Sequence, residues 1–448
     1  MEASVTRRLA RFAVASVPED LPENVAKEAA RALVNWIGSP IRACRHEATQ
    51  NVIEAFDEFS GPRQASVLGR EEKLDIFTAA LVNCVSSGVF DYDDTHIATV
   101  IHPSGPIASS LLALSERQPI RGADFLHALT LGIEVQCRLA NALATPPAQC
   151  DPAWFLTGLT GGIGAAIAVG RIFELNEQQM VWAIGIAAMR AAGPRETHGT
   201  MAKNLVPAWA AQAGMQAALL ARRGFTASET PIEGPRGLGY LYAAHTHWSA
   251  LVDGLGERWE MLQNTYKPYP CGIVIHPALT GAMEIAEQHR PDPDSIERVD
   301  LTVHPMCLRL TGRRTPINAV EGTFSVYHWV AVALREREIR IRQFSDACIA
   351  DPGNVALRDR VHAHASENYR VDEAHVCLTL RDGRMIEQHV DHQLGSVDRP
   401  MSDAQLEAKL HDLADPVLGA SQVDDLARAC WNVRQSPDTS TLVRLACP

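Results

Sequence analysis

What this chain has little of already narrows its class. Aromatic residues make up only 6% of its 448 residues, and no C-x-x-C pair occurs among its ten cysteines. A cysteine-ligated structural zinc or an iron–sulfur cluster is therefore poorly supported. No stretch of about 18 apolar residues is free of charge, so no membrane span is expected. The first residues, MEASVTRRLARFAVASVPED, contain acidic Glu2 and a short apolar run ending before Pro18, without the continuous apolar core of a signal peptide. These absences predict a cytoplasmic protein with reduced thiols. Basic excess is also missing. The net charge of −12 argues against a nucleic-acid binder, though a locally basic pocket for an anion remains compatible with it. There is no G-x-S-x-G elbow, Walker loop or H-E-x-x-H. The glycine-rich TGGIGAAIAVG follows helical sequence, where a dinucleotide loop would need a strand.

What is present is helix. In LPENVAKEAARALVNWIG, residues Val25, Ala29, Ala32, Leu33 and Trp36 share one face, Pro22 suits the first turn and Gly38 is expected to follow the end. EEKLDIFTAALVNCVSSGVF, DFLHALTLGIEVQCRLANAL, GLTGGIGAAIAVGRIF and MVWAIGIAAMRAAG continue the pattern. The character shifts after about residue 265. IERVDLTVHP alternates like a strand, AHVCLTLRDGRMIEQHV reads as a hairpin turning at Asp382-Gly383, and helices are predicted over 319–335 and 352–366. The tail from about 401 returns to helix. The expected fold class is mainly α: a large all-α domain of 1–265 and 400–448 and a smaller α+β lid of 266–399.

Four stretches carry chemistry. DYDDTHIATVIHPSG, residues 91–105, concentrates Asp91, Asp93, Asp94, Thr95 and His102 between apolar runs. One aspartate could cap a helix. A magnesium cage would need a second acidic motif that the chain does not offer. An acid–base role for Asp91, Thr95 and His102 accounts for more of the set. In RETHGTMAKNLVPAWAAQAG, Lys203 is the only lysine between Lys73 and Lys267. It is either a snorkelling surface residue or a buried cation facing an anion, and its apolar flanks favour burial. YKPYPCGIVIHPALTGA places Lys267, Tyr269 and His276 around a rigid Pro-Tyr-Pro turn at the composition boundary; the plainer reading is a linker whose histidine caps a helix. In EGTFSVYHWVAVAL, Phe324, Tyr327, Val330 and Leu334 read as core, with Ser325 and His328 the polar exceptions.

Together these stretches resemble the MmgE/PrpD family, through D-Y-D-D-T…H-P, G-T-M-A-K, the downstream E-G…G and K-P-Y-P…H-P, over nearly the whole chain. The resemblance implies a helical domain with an α+β lid, a homodimer, no metal or organic cofactor, and a small polycarboxylate substrate that exchanges a proton on carbon beside a carboxylate. It places catalytic roles on Asp91, His102, Lys203 and Lys267, and substrate binding on Thr95, with Tyr269, His276 and His328 as further substrate-binding candidates. Three positions depart from the family's lyases. Phe155 stands where G-[FW]-H-x-T-G has histidine, Val206 where K-P-L-H-x-G has histidine, and His328 where F-S-x-x-Y has tyrosine. With two histidines gone, the expectation is an epimerase of iminodisuccinate-like substrates. A lyase, dehydratase or decarboxylase, is the alternative, and a catalytically inactive anion-binding relative the second.

Overall fold

A computed structural model describes residues 4–448, so Glu2 lies outside the described residues. The chain is mainly helical and forms two compact units. One comprises residues up to Val89, Asp93–Asn264 and Asp403–Pro448; the other comprises Phe90–Tyr92 and Thr265–Ser402.

The first unit is a stack of helices built on small residues. The Leu156–Ile172 helix lies against the Gly122–Ala144 and Leu205–Arg222 helices, and glycines set the spacing. A Cβ at Gly164 would stand 2.7 Å from the carbonyl oxygen of Gly132, so no larger residue fits that approach. The Glu23–Ala43 helix runs past the expected stop at Gly38 and includes Pro40. Gly38 is a packing point: a Cβ there would meet Leu410 and Leu413 at 3.1–3.2 Å, where the Asp403–Leu418 helix crosses. No helix among the described residues is long and apolar enough to cross a membrane.

The second unit carries one four-stranded sheet. Its strands are β1 (Ile296–Val303), β2 (Val361–Ala365), β3 (Ala374–Leu380) and β4 (Met385–Val390), in the order β4-β3-β1-β2. β3 and β4 form the hairpin, with Gly383 at φ 85° in its turn. β2 joins β1 in parallel. This corrects the helix expected over 352–366: helix covers only Pro352–Arg358, and the VHAHA segment is an edge strand. The His276–His289 helix packs on the sheet, and the Val326–Glu336 helix packs on it in turn.

Candidate active site

In the helical unit the chemistry is concentrated on the strap that returns from Asp93 to Ser104. Asp75 caps the Ile76–Gly88 helix that leads into it, accepting from the backbone N–H of Phe77 and Thr78 at 2.9 and 3.2 Å. The strap is strained at Val100, a β-branched residue at φ 52°, and closed by the His96 N–H to Ile101 carbonyl bond at 3.0 Å. Several of its buried polar groups are hydrogen-bonded within the unit. His96 Nδ1 lies 2.8 Å from Thr99 Oγ1, and its Nε2 lies 3.2 Å from Glu260 Oε2. Asp94 Oδ2 accepts from Ser104 Oγ at 2.6 Å and Asn264 Nδ2 at 2.7 Å, while burial pushes the Asp94 carboxyl up to about 6.

His102 is the focus of this strap. Its backbone N–H donates to Thr157 Oγ1 at 3.0 Å, and its ring Nδ1 lies 3.1 Å from Asp93 Oδ1 and 3.2 Å from the Asp94 carbonyl oxygen. Both neighbours of Nδ1 are acceptors, so in the neutral ring Nδ1 carries the proton and Nε2 is left as an acceptor. The ring edge meets Phe155 at a centroid distance of 5.9 Å; Phe155 also meets His198 at 4.9 Å and lies 5.6 Å beneath the Arg195 guanidinium. Val206 packs beside it: a Cβ at Gly158 or Gly193 would fall 2.4 Å from Val206 Cγ1, and the Phe155 N–H bonds the Gly193 carbonyl at 2.8 Å. Phe155 and Val206, two of the three positions that depart from the lyase pattern, thus both lie against Gly193. Lys203 is buried in the short Met201–Asn204 turn. Asn204 beside it abuts Gly88, where a Cβ would meet its Oδ1 at 2.8 Å.

Asp91 belongs to the second unit and meets Lys267 there. The fully buried Lys267 Nζ donates to the Asp91 carbonyl at 2.9 Å and lies 3.3 Å from its Oδ2. Asp91 holds φ 49°, a conformation that costs a non-glycine residue free energy, and Tyr92 Oη secures the turn by donating to the Pro268 carbonyl at 2.8 Å. Gly272 leaves room in front of the pair: a Cβ there would lie 2.9 Å from Thr311 Cγ2 and 4.0 Å from Asp91 Oδ2. His276 begins its helix and bonds back through Nε2 to the Cys271 carbonyl at 3.3 Å, with Tyr269 against its ring at 5.5 Å. Burial pushes the Tyr269 phenol well up. His328 is fully buried with no hydrogen-bond partner for either ring nitrogen, and burial, together with the charge of Arg358, pulls its pKa down to about 4.

Of the sequence candidates, Thr95, His102 and Lys203 therefore fall in the helical unit, and Asp91, Lys267, Tyr269, His276 and His328 in the α+β unit. Sequence reasoning missed the groups that hold the strap: Asn264 and Ser104 on Asp94, Thr157 on His102, and the His96–Glu260 pair. The signal available for Asn264 was its place three residues before Lys267. Two partly exposed groups of the α+β unit, Asp372–His392–Asp398 and Glu373–His389–Asp391, bring possible metal ligands within 4.8 Å of one another, but Arg370 already serves both Asp372 and Glu373.

The chain belongs to the MmgE/PrpD family: residues 7–250 match the MmgE/PrpD N-terminal domain and residues 269–433 the MmgE/PrpD C-terminal domain. It is similar to the cis-aconitate decarboxylase of Aspergillus terreus, 24% identical over 481 residues that cover 100% of this chain and 97% of that protein. It is also similar to the cis-aconitate decarboxylases of Homo sapiens (26% over 445 residues; 95% and 91% covered) and Mus musculus (26% over 464 residues; 99% and 94% covered). These relatives overturn the expected epimerase, an isomerase, and give no support to the iminodisuccinate branch. The inference failed because it took the loss of histidines at Phe155 and Val206 to remove the acid that a lyase needs. It did not count His102, whose Nδ1 lies 3.1 Å from Asp93 Oδ1, as such an acid.

Proposed function

We propose that this protein is a lyase that decarboxylates a small unsaturated polycarboxylate, with cis-aconitate the first substrate to test. The observation that carries the reading is the His102–Asp93 pair, in a chain whose relatives over almost their full length are cis-aconitate decarboxylases. Loss of carbon dioxide breaks a C–C bond and leaves its electron pair on the substrate, delocalised through the double bond and the remaining carboxylates. A proton must then close that position. His102 delivers it from Nε2, and Asp93 stabilises the ring while it is charged. Lys203 and Lys267 bind carboxylates and offset the developing negative charge. Asp91 orients Lys267, Thr95 and Tyr269 bind substrate, His276 fixes the turn that carries Tyr269, and His328 faces the substrate with the polar edge of its ring. No metal or organic cofactor takes part, and the enzyme works as a homodimer in the cytoplasm.

The test is incubation of the purified protein with cis-aconitate in deuterium oxide, followed by proton NMR and carbon dioxide detection. The expected result is one carbon dioxide per turnover and a five-carbon unsaturated dicarboxylate with one deuterium on carbon. Binding without carbon dioxide would leave an inactive anion-binding relative. Release of water from 2-methylcitrate, with cis-aconitate untouched, would make it a dehydratase.

A further inference from the structure

In the α+β unit, the Val326–Glu336 and Pro352–Arg358 helices pack against each other in opposite directions. At one end Arg335 reaches Asp351 at 3.0 Å and Asn354 at 3.1 Å, so the cation there is neutralised. At the other end stand His328 and Arg358, and there the polar groups are left over. Arg358 is only 7% exposed, its Nε has no hydrogen-bond partner, and the nearest carboxylate oxygen, on Asp359, is 3.9 Å from it. His328 is 0% exposed with Nδ1 and Nε2 both unpartnered. An unsatisfied buried polar group costs roughly 1–3 kcal/mol, and an uncompensated buried charge more. Arg358 offers only donors, and a neutral imidazole adds one more. A donor-rich, cationic, partly dehydrated corner is complementary to an anion, and a planar guanidinium in particular to a carboxylate.

The corner is continuous with the Lys267 site of the same unit. A Cβ on Gly322 would lie 3.8 Å from the His328 ring; the carbonyl of the next residue, Thr323, accepts from the Gly272 N–H at 3.1 Å; and Gly272 fronts Asp91 and Lys267. Through Gly322 and Gly272 the Arg358 corner is thus linked to the Lys267–Asp91 pair of the same unit. We propose that Arg358 and His328 form a carboxylate subsite, in which the guanidinium takes a substrate carboxylate remote from the reacting carbon and His328 donates its N–H to the same group. This rests on the polycarboxylate reading above and adds to it a residue, Arg358, that no motif marks.

Isothermal titration calorimetry with cis-aconitate, and separately with sulfate, tests it on the full-length wild type and on Arg358→Gln, Arg358→Lys and His328→Asn, each first checked for unchanged circular dichroism. The expected result is a dissociation constant for cis-aconitate raised tenfold or more by Arg358→Gln and substantially restored by Arg358→Lys, with KM moving more than kcat. His328→Asn, which keeps a donor, is expected to fall between. Unchanged cis-aconitate affinity in Arg358→Gln would overturn the subsite, as would loss of affinity in Arg358→Lys equal to that in Arg358→Gln. If wild-type protein neither binds nor consumes cis-aconitate, the decarboxylase reading fails. The subsite is then judged by sulfate alone, and by whether bromide soaked into crystals gives an anomalous peak in contact with both side chains. Ordered water filling that corner instead would sink it.

Discussion

His102 Nδ1 lies 3.2 Å from the Asp94 carbonyl oxygen, which fixes its tautomer, and 3.1 Å from Asp93 Oδ1, so a carboxylate of the same strap stands beside the ring. Replacing Asp93 by Asn removes the charge that stabilises the imidazolium while keeping the shape. We expect kcat to fall about tenfold to a hundredfold, with KM little changed, and His102→Ala to lose roughly a hundredfold or more. Steady-state release of carbon dioxide from cis-aconitate measures both. An Asp93→Asn enzyme with full kcat would remove Asp93 from the proton-transfer machinery.

The strap is backed by a second buried system further inside the helical unit. Arg138, fully buried, pairs with Glu134 and donates to the carbonyls of Asp253 at 2.8 Å, Gly254 at 3.0 Å and Arg258. Glu134 Oε2 in turn accepts from the Met261 N–H at 3.1 Å, next to Glu260, which holds His96. Arg138→Leu would strand a buried carboxylate and several carbonyls at once. Breaking such a pair from one side costs about 3–5 kcal/mol. Urea denaturation followed by circular dichroism is expected to show a loss of that size, and a loss below about 1 kcal/mol, the scale of surface pairs, would show that water replaces the guanidinium freely.

These two systems also mark what the sequence could and could not disclose. The helices were legible because apolar residues recur with the helical period, as in Val25, Ala29, Ala32 and Trp36. Gly38 looked like a stop, yet the helix runs past it, and the Leu410 and Leu413 side chains that pack there lie far away in the chain. The VHAHA strand was hidden because it is an edge strand with half-exposed faces and no alternation of strong hydrophobes. At the site, residue types were visible but their partners were not. Lys267 and Asp91 are 176 residues apart, and His96 and Glu260 are 164 apart, and no local pattern encodes either pairing. Arg358 sits in an ordinary helix end and becomes notable only once its burial and its Nε without a hydrogen bond can be seen.

Phe155 connects the departure from the lyase pattern to His102. Its buried ring touches the imidazoles of His102 and His198 by their edges and supports the Arg195 guanidinium, whose own proton affinity burial lowers. Phe155→Ala would open a cavity beneath all three, at a cost of about 3–5 kcal/mol. Phe155→Leu refills most of that volume without the flat ring, so it should recover most of the stability. If the ring face is what sets His102, Phe155→Leu should still lose several-fold in kcat. A Phe155→Leu enzyme that matches wild type in both melting temperature and kcat would reduce Phe155 to filler.

Asp94 gives the strap a pH dependence whose sign can be worked out. Its carboxyl is fully buried, its Oδ2 accepts from Ser104 and Asn264, and its Oδ1 has no hydrogen-bond partner. Desolvation outweighs the two hydrogen bonds and raises its pKa in the folded protein to about 6, above the usual 3.8. A carboxyl that binds its proton more tightly when folded stabilises the fold below the unfolded pKa, and that contribution is lost as pH rises through the folded one. The window is therefore pH 4 to 6, and the full shift corresponds to about 3 kcal/mol. Asp94→Asn, which cannot ionise, lacks this loss. The stability difference, variant minus wild type, is expected to move in favour of the variant between pH 4 and 6 and then to stay level at higher pH. Other titrating groups are common to both proteins and cancel in the difference. Guanidinium denaturation of both at pH 4.5, 5.5, 6.5 and 7.5 reads it directly. A difference that is flat across this range, or that favours wild type increasingly as pH rises, would mean that Asp94 is ionised at ordinary carboxylate pH and that its unpartnered oxygen is hydrated.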